Sequence, residues 1–198
     1  MKLPKTPKGI YTRIEQYKKA LQKEKREWGI YDDSYGRRLL IGPLYLLAND
    51  TEGAIKYYKW YVKSFPDDSS EPFMSLCWTL SLYRAGKLEV AKIKLIHTMF
   101  SNLYILPHLF REDQPAYIIR AGSNWESKIH LVNLPDEYPG QWSEDEVNWA
   151  REMYYSNEIT AIRERYIEIE ISLQNETTDI NRSGLLDELF ALRRLKSI

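Results

Sequence analysis

Apolar residues recur at three- and four-residue steps through most of this chain, which is the period of a helix with one buried face. The first such stretch covers 12–28, approached by Ile10. Ile14, Tyr17, Leu21 and Trp28 fall on one face, and Lys18, Lys19, Lys23, Lys25 and Arg26 fill much of the remainder. Thr12 and Glu15 stand at capping-box spacing, which predicts a helix start there. Two longer stretches follow within 35–103, RRLLIGPLYLLANDTEGAIKYYKWYVKSFPDD and EPFMSLCWTLSLYRAGKLEVAKIKLIHTMFSN. Each runs from an apolar helical pattern through a polar turn, Asn49-Asp50-Thr51 or Ala85-Gly86-Lys87, into a second apolar pattern. The two align at an offset of 37 residues, with Gly42 over Thr79, Ala54 over Ala91 and Tyr58 over Leu95. Neither hairpin can bury its apolar face alone, so consecutive hairpins must stack. Ser70 is the expected cap of the second unit, ahead of Glu71 and Pro72, since proline is tolerated in a first helical turn.

Beyond Leu103 the pattern breaks. The stretch 104–142 contains Pro107, Pro115, Pro135 and Pro139 with Gly122 and Gly140, but also Leu109, Phe110, Tyr117, Ile118, Ile119, Trp125, Ile129 and Leu131. That much apolar surface predicts short helices in ordered loops rather than a disordered linker. Ser143 and Glu146 form a second capping-box pair, opening a helix with Val147, Trp149, Ala150, Met153 and Tyr154. Helix spacing resumes over 158–173, continuous with its predecessor or broken near Ser156-Asn157. Residues 174–183 read as a loop, and Leu185, Leu186, Leu189, Phe190 and Leu192 as a terminal helix. The expectation is a single all-α domain over 1–198: a basic amphipathic helix in 1–30, two hairpins in 35–103, an irregular segment in 104–142 and C-terminal capping helices in 143–198.

The first hairpin carries Ile41, Gly42, Tyr45, Ala54, Tyr58 and Pro66; the second carries Gly86, Ala91 and Leu95, with Thr79 and Leu82 at its other two positions. At these spacings the region resembles the tetratricopeptide repeat family. The resemblance implies a right-handed stack of antiparallel hairpins in which Gly42 and Ala54 allow close approach. It further implies a concave groove, lined by the first helix of each hairpin, that takes a protein or peptide. The matching positions are Leu39, Pro43, Tyr45 and Leu46, then Phe73, Leu76, Leu80, Tyr83 and Arg84. Family members that grip a C-terminal carboxylate use Lys, Asn and Arg at such places, whereas this chain offers mostly apolar residues. The expected occupant is therefore an apolar helix or peptide, or the chain's own terminal helices. Leu39, Leu76 and Leu80 can equally be read as core, leaving Tyr83 and Arg84 at a rim. Tyr57, Tyr58, Trp60 and Tyr61 cover more than one helix face, so an exposed Tyr57 and Trp60 would offer a homodimer surface.

Composition sharpens this picture. The 198 residues carry 28 basic and 28 acidic side chains, and a chain of this length buries roughly 70% of its extended surface without help from metals or disulfides. The balance is uneven: +6 over 1–30, +1 over 31–100 and −7 over 101–198. No basic stripe spans the whole body, which argues against duplex DNA. RNA association through residues 2–26 is the weakest of the partner readings. A membrane-surface helix is disfavoured because Glu15, Glu24 and Glu27 dilute the positive face. Apolar stretches such as 39–48 and 103–109 fall short of the roughly 20 residues that a membrane span needs. The start of the chain lacks a signal-peptide pattern. With the single cysteine, Cys77, these features suggest a cytoplasmic protein.

Candidate chemistry is sparse. His97, His108 and His130 match no compact metal motif, no phosphate loop or nucleophile elbow occurs, and no metal, cofactor or catalytic residue is expected. The nearest approach to a polar cluster is His108, Arg111, Glu112 and Asp113, which carries the alternative reading of an enzyme or small-ligand protein.

Overall fold

Thr6, not Thr12, starts the first helix. Its side chain accepts the Gly9 amide (3.2 Å), and Pro7, which has no amide proton to satisfy, occupies the first turn. Thr12 lies inside the helix and donates instead to the Lys8 carbonyl (2.8 Å). The computed structural model describes residues 3–194 except 32, 69–70, 114–116, 118, 120–121, 136 and 177. The expected Ser70 cap, with Pro115 and Ile118, therefore lies outside the described residues. Nine α-helices are found among them, making an all-α protein of several packed helices. The residues cluster into two compact units, Met1–Leu88 with Pro135–Trp142, and Glu89–Leu134 with Ser143–Ile198.

In the first unit, α1 (Pro7–Trp28) buries Ile10, Ile14 and Leu21 and stops at Gly29, whose φ of 74° suits a residue without a side chain. The chain then turns through Asp33 into α2 (Arg37–Leu47). The fully buried Asp33 carboxylate accepts the amides of Arg37 (2.7 Å) and Arg38 (2.9 Å), closing the start of α2 where Gly36 has no side chain to offer. Asp33 also receives the Arg38 guanidinium (3.0 Å), whose other face meets Asp68 (2.7 Å). Burial opposes the Arg38 charge, and the two carboxylates more than offset it, raising its pKa further.

The turn to α3 (Thr51–Ser64) is capped by Asp50, which accepts the Gly53 amide (2.7 Å). The expected close approach of small residues occurs in this hairpin. A side-chain carbon placed on Gly42 would fall within 2.5 Å of the Tyr58 hydroxyl oxygen, and Ala54 is fully buried. Tyr58 in turn stacks face to face on Trp78 of α4 (Pro72–Arg84), with centroids 4.6 Å apart. At the start of α4, Glu71 does the capping, its carboxylate accepting the Met74 amide (2.8 Å). Buried residues occupy every side of α4, and its hydroxyls are satisfied locally, Thr79 on the Ser75 carbonyl and Ser81 on that of Cys77. Thus α2 packs against α1, α3 and α4, and α3 against α4.

The second unit holds α5 (Leu88–Ser101), α6 (Ile105–Leu109), two 3-10 turns, α7 (Glu144–Tyr154), α8 (Asn157–Asn175) and α9 (Asp179–Arg193). Here α6 packs on α7, α7 on α8 and α8 on α9. Asn102 orders part of the irregular stretch. Its amide donates to the carbonyls of Trp125 (2.6 Å) and Ser127 (3.1 Å), while its carbonyl oxygen accepts the Tyr104 amide (2.9 Å). The Ser143–Glu146 box forms in both directions, and Ser156 caps α8, so the chain breaks there. The terminal helix begins at Asp179, six residues before the first residue of its apolar cluster, because its opening turn faces solvent: Ile180 is 87% exposed.

Candidate functional site

The α2 positions expected to line a groove belong to a helix against which α1 packs. Pro43, Tyr45 and Leu46 are buried and Leu39 is partly so. The Tyr45 hydroxyl accepts from Lys18 Nζ (2.6 Å), which also sits 5.1 Å from the ring centroid, and the edge of Tyr11 approaches at 6.3 Å. Tyr11 reaches past it to donate to Asp50 (2.9 Å). Lys18 of α1 is thus engaged with Tyr45 of α2.

The α4 positions meet a different segment. Phe73, Leu76, Leu80 and Arg84 recur at steps of three and four and define one face of the helix, with Tyr83 beside it. Phe73, Leu76 and Leu80 are buried, and Tyr83 and Arg84 are partly exposed. Against this face lies 137–142, distant in sequence but part of the same unit. Tyr138 packs edge-on against Phe73 with centroids 4.4 Å apart, and Arg84 donates to the Gln141 carbonyl. Tyr138 meets the start of α4, and the Arg84 side chain reaches from its end to the Gln141 carbonyl. Tyr138 and Trp142 are both buried. Reading by periodicity missed these residues, since an aromatic pair spaced by four around Pro139 and Gly140 has no helical stripe to announce it. Two aromatics flanked by proline and glycine were the available signal.

Among the described residues, the hydroxyls of Tyr58 and Tyr138 are buried without a hydrogen-bond partner. Burial, with the Cys77 thiol nearby, pushes both phenols well above their ordinary value. Burial likewise raises the Cys77 thiol, the opposite of what an activated nucleophile needs.

The four residues of the alternative cluster lie at the end of α6 and in the loop that leaves it. His108, Arg111 and Asp113 are exposed, with Arg111 at a φ of 60° where the loop turns out of α6. Glu112 is half-buried and ties that loop to α7, accepting from Arg151 Nε (3.2 Å) and from the Tyr155 hydroxyl. Arg151 completes the tie through the Phe110 carbonyl (3.2 Å) and the Phe110 ring. His97 lies partly buried on α5. Among the described residues no group of three or more His, Cys, Asp or Glu is placed to hold a metal ion, and no helix is long and apolar enough to cross a membrane.

No family model, curated protein or solved structure matches this chain.

Proposed function

We propose that the protein is an interaction module of tetratricopeptide-like build whose α2 and α4 groove takes a short aromatic peptide from a partner. The reading rests on one observation, the seating of 137–142 against α4, with Tyr138 on Phe73 and the Gln141 carbonyl on Arg84. These are the parts a bound peptide would supply: an aromatic anchor in an apolar slot and a main-chain carbonyl for an arginine, the residue types that dominate binding hot spots. The glycine-to-tyrosine approach at Gly42 and Tyr58 and the buried Ala54 support the repeat-like reading of the hairpin. In the resting molecule the chain's own segment fills the slot, and a partner peptide of the same chemistry replaces it.

The test is a labelled peptide copying residues 134–143, titrated into the full-length protein while its polarisation is followed. Tyr138→Ala removes the built-in anchor and is expected to bind the peptide saturably in the micromolar range typical of short motifs, about 10 µM or tighter, with wild type at least tenfold weaker. Adding Arg84→Ala to Tyr138→Ala is expected to weaken that binding by about tenfold. Absence of binding to the folded Tyr138→Ala protein would show that 135–142 is only a strut.

A further inference from the structure

The segment seated on α4 makes its own turn. The Tyr138 amide donates to the Pro135 carbonyl (3.2 Å) and the Gln141 amide to the Tyr138 carbonyl (3.0 Å), with Pro139 at the second position of the latter turn, where a fixed φ is favoured. It therefore brings its shape to the helix. Arg84 takes only a main-chain carbonyl, and a side-chain carbon on Gly140 would meet nothing within 4 Å, so neither place calls for a particular side chain. The anchor is the Tyr138 ring, edge-on to Phe73. Its hydroxyl is the one part that does not fit. Other buried phenols find partners. Tyr57 is buried, leaving only Trp60 of that pair at the surface, and donates to the Arg38 carbonyl (2.5 Å). Tyr45 accepts from Lys18 (2.6 Å) and Tyr166 from Arg193 (2.7 Å). The Tyr138 hydroxyl is buried with no hydrogen-bond partner among the described residues. Phe73 offers it a ring and Cys77, one turn further along α4, a thiol that is a weak donor and a weak acceptor. The Tyr58 hydroxyl, likewise without a partner, lies against Gly42.

We infer that the α4 slot is shaped for phenylalanine, and that the built-in Tyr138 is a weaker occupant which a partner's phenylalanine-proline turn displaces. The inference rests on the reading of this slot as a peptide site, and it names the partner's chemistry: phenylalanine directly ahead of proline, with an aromatic residue four positions after it where this chain has the buried Trp142. Taking a hydroxyl out of water without replacing its hydrogen bond costs free energy, and a phenyl ring of the same outline leaves that cost out. The hydroxyl thus loosens the chain's own segment while the ring, the turn and the Arg84 contact keep it in place. A segment that fitted perfectly would hold the slot shut, and one without a ring would leave it open to any apolar chain.

Two labelled peptides test this, one copying residues 134–143 and one identical but for Tyr138→Phe. Titrated into the full-length Tyr138→Ala protein, where the built-in anchor no longer competes, the phenylalanine peptide is expected to bind about tenfold tighter. Wild type should show the same preference at lower affinity. Full-length Tyr138→Phe should unfold at a higher urea concentration than wild type and bind either peptide about tenfold more weakly, because its own segment is then the better occupant. Equal binding of the two peptides, or tighter binding of the tyrosine one, overturns the inference and leaves the peptide site standing. Binding of neither overturns the peptide site and the inference with it. A Tyr138→Phe protein whose urea midpoint fails to rise shows that the hydroxyl carries no unmet cost, and overturns the inference whatever the peptides do.

Discussion

Two helical hairpins of this protein are held by opposite means. In α2 and α3 the contact is interior: Gly42 receives the Tyr58 ring, Tyr57 donates to the Arg38 carbonyl (2.5 Å), and α1 and α4 enclose the pair. In α8 and α9 the core is thin, with Tyr166, Ile169 and Leu189 buried, and much of the tie lies at the surface. Arg165 grips both Glu188 oxygens (2.7 and 2.6 Å), and Arg193 reaches Glu170 (3.2 Å) and the Tyr166 hydroxyl (2.7 Å). Exposed forks of this kind contribute little to stability because water competes for both partners. A hairpin buried on both sides is fixed by shape, and one buried on a single side by a few anchors.

Glycine substitutions break the comparison most directly. Gly42→Ala is expected to cost about 3 kcal/mol in urea unfolding, because the new carbon would fall on a fully buried tyrosine that has nowhere to go. Tyr58→Leu in the same chain should recover part of that loss, and full additivity of the two changes would show that they do not touch. The next largest effect concerns the terminal hairpin in alkali. Burial pushes the Tyr166 phenol up to about 12 from 10.0 despite Arg193 beside it. A phenol raised on folding contributes stability that is complete below pH 10 and lost as pH climbs towards 12. Tyr166→Phe should flatten that part of the alkaline unfolding curve, and an unchanged curve would exclude Tyr166 as its source. The smallest effect has the opposite sign to the first. A side-chain carbon on Gly184, inside α9, would meet nothing within 4 Å. Gly184→Ala is therefore expected to stabilise the protein by about 0.5–1 kcal/mol. Loss of stability there would mean that α9 packs more closely than its exposure indicates.

The hairpin of α2 and α3 was legible because its signals are local. An apolar period, an Asn-Asp turn and small residues at Gly42 and Ala54 act within about 30 residues, as does the Ser143–Glu146 box. The cap of α1 was misplaced by six residues because Thr12 has the spacing of a cap, while Thr6 has the better chemistry, with proline directly after it. The apolar stripe on α4 was legible, but what meets it was not. Tyr138 lies 65 residues beyond Phe73, in a stretch with no periodicity to place it.

By itself the sequence determined the helical class, most helix spans and the faces they bury, since those follow from the period of apolar residues and from hydrogen bonds within a turn or two. Only the tertiary structure decided that Asp33 closes α2, that Tyr138 and Gln141 meet α4, and that Trp28 stays uncovered while Leu21 does not. Each is a meeting, or a failure to meet, between segments far apart along the chain, and such outcomes depend on the length and placement of a neighbour rather than on the residue's own pattern.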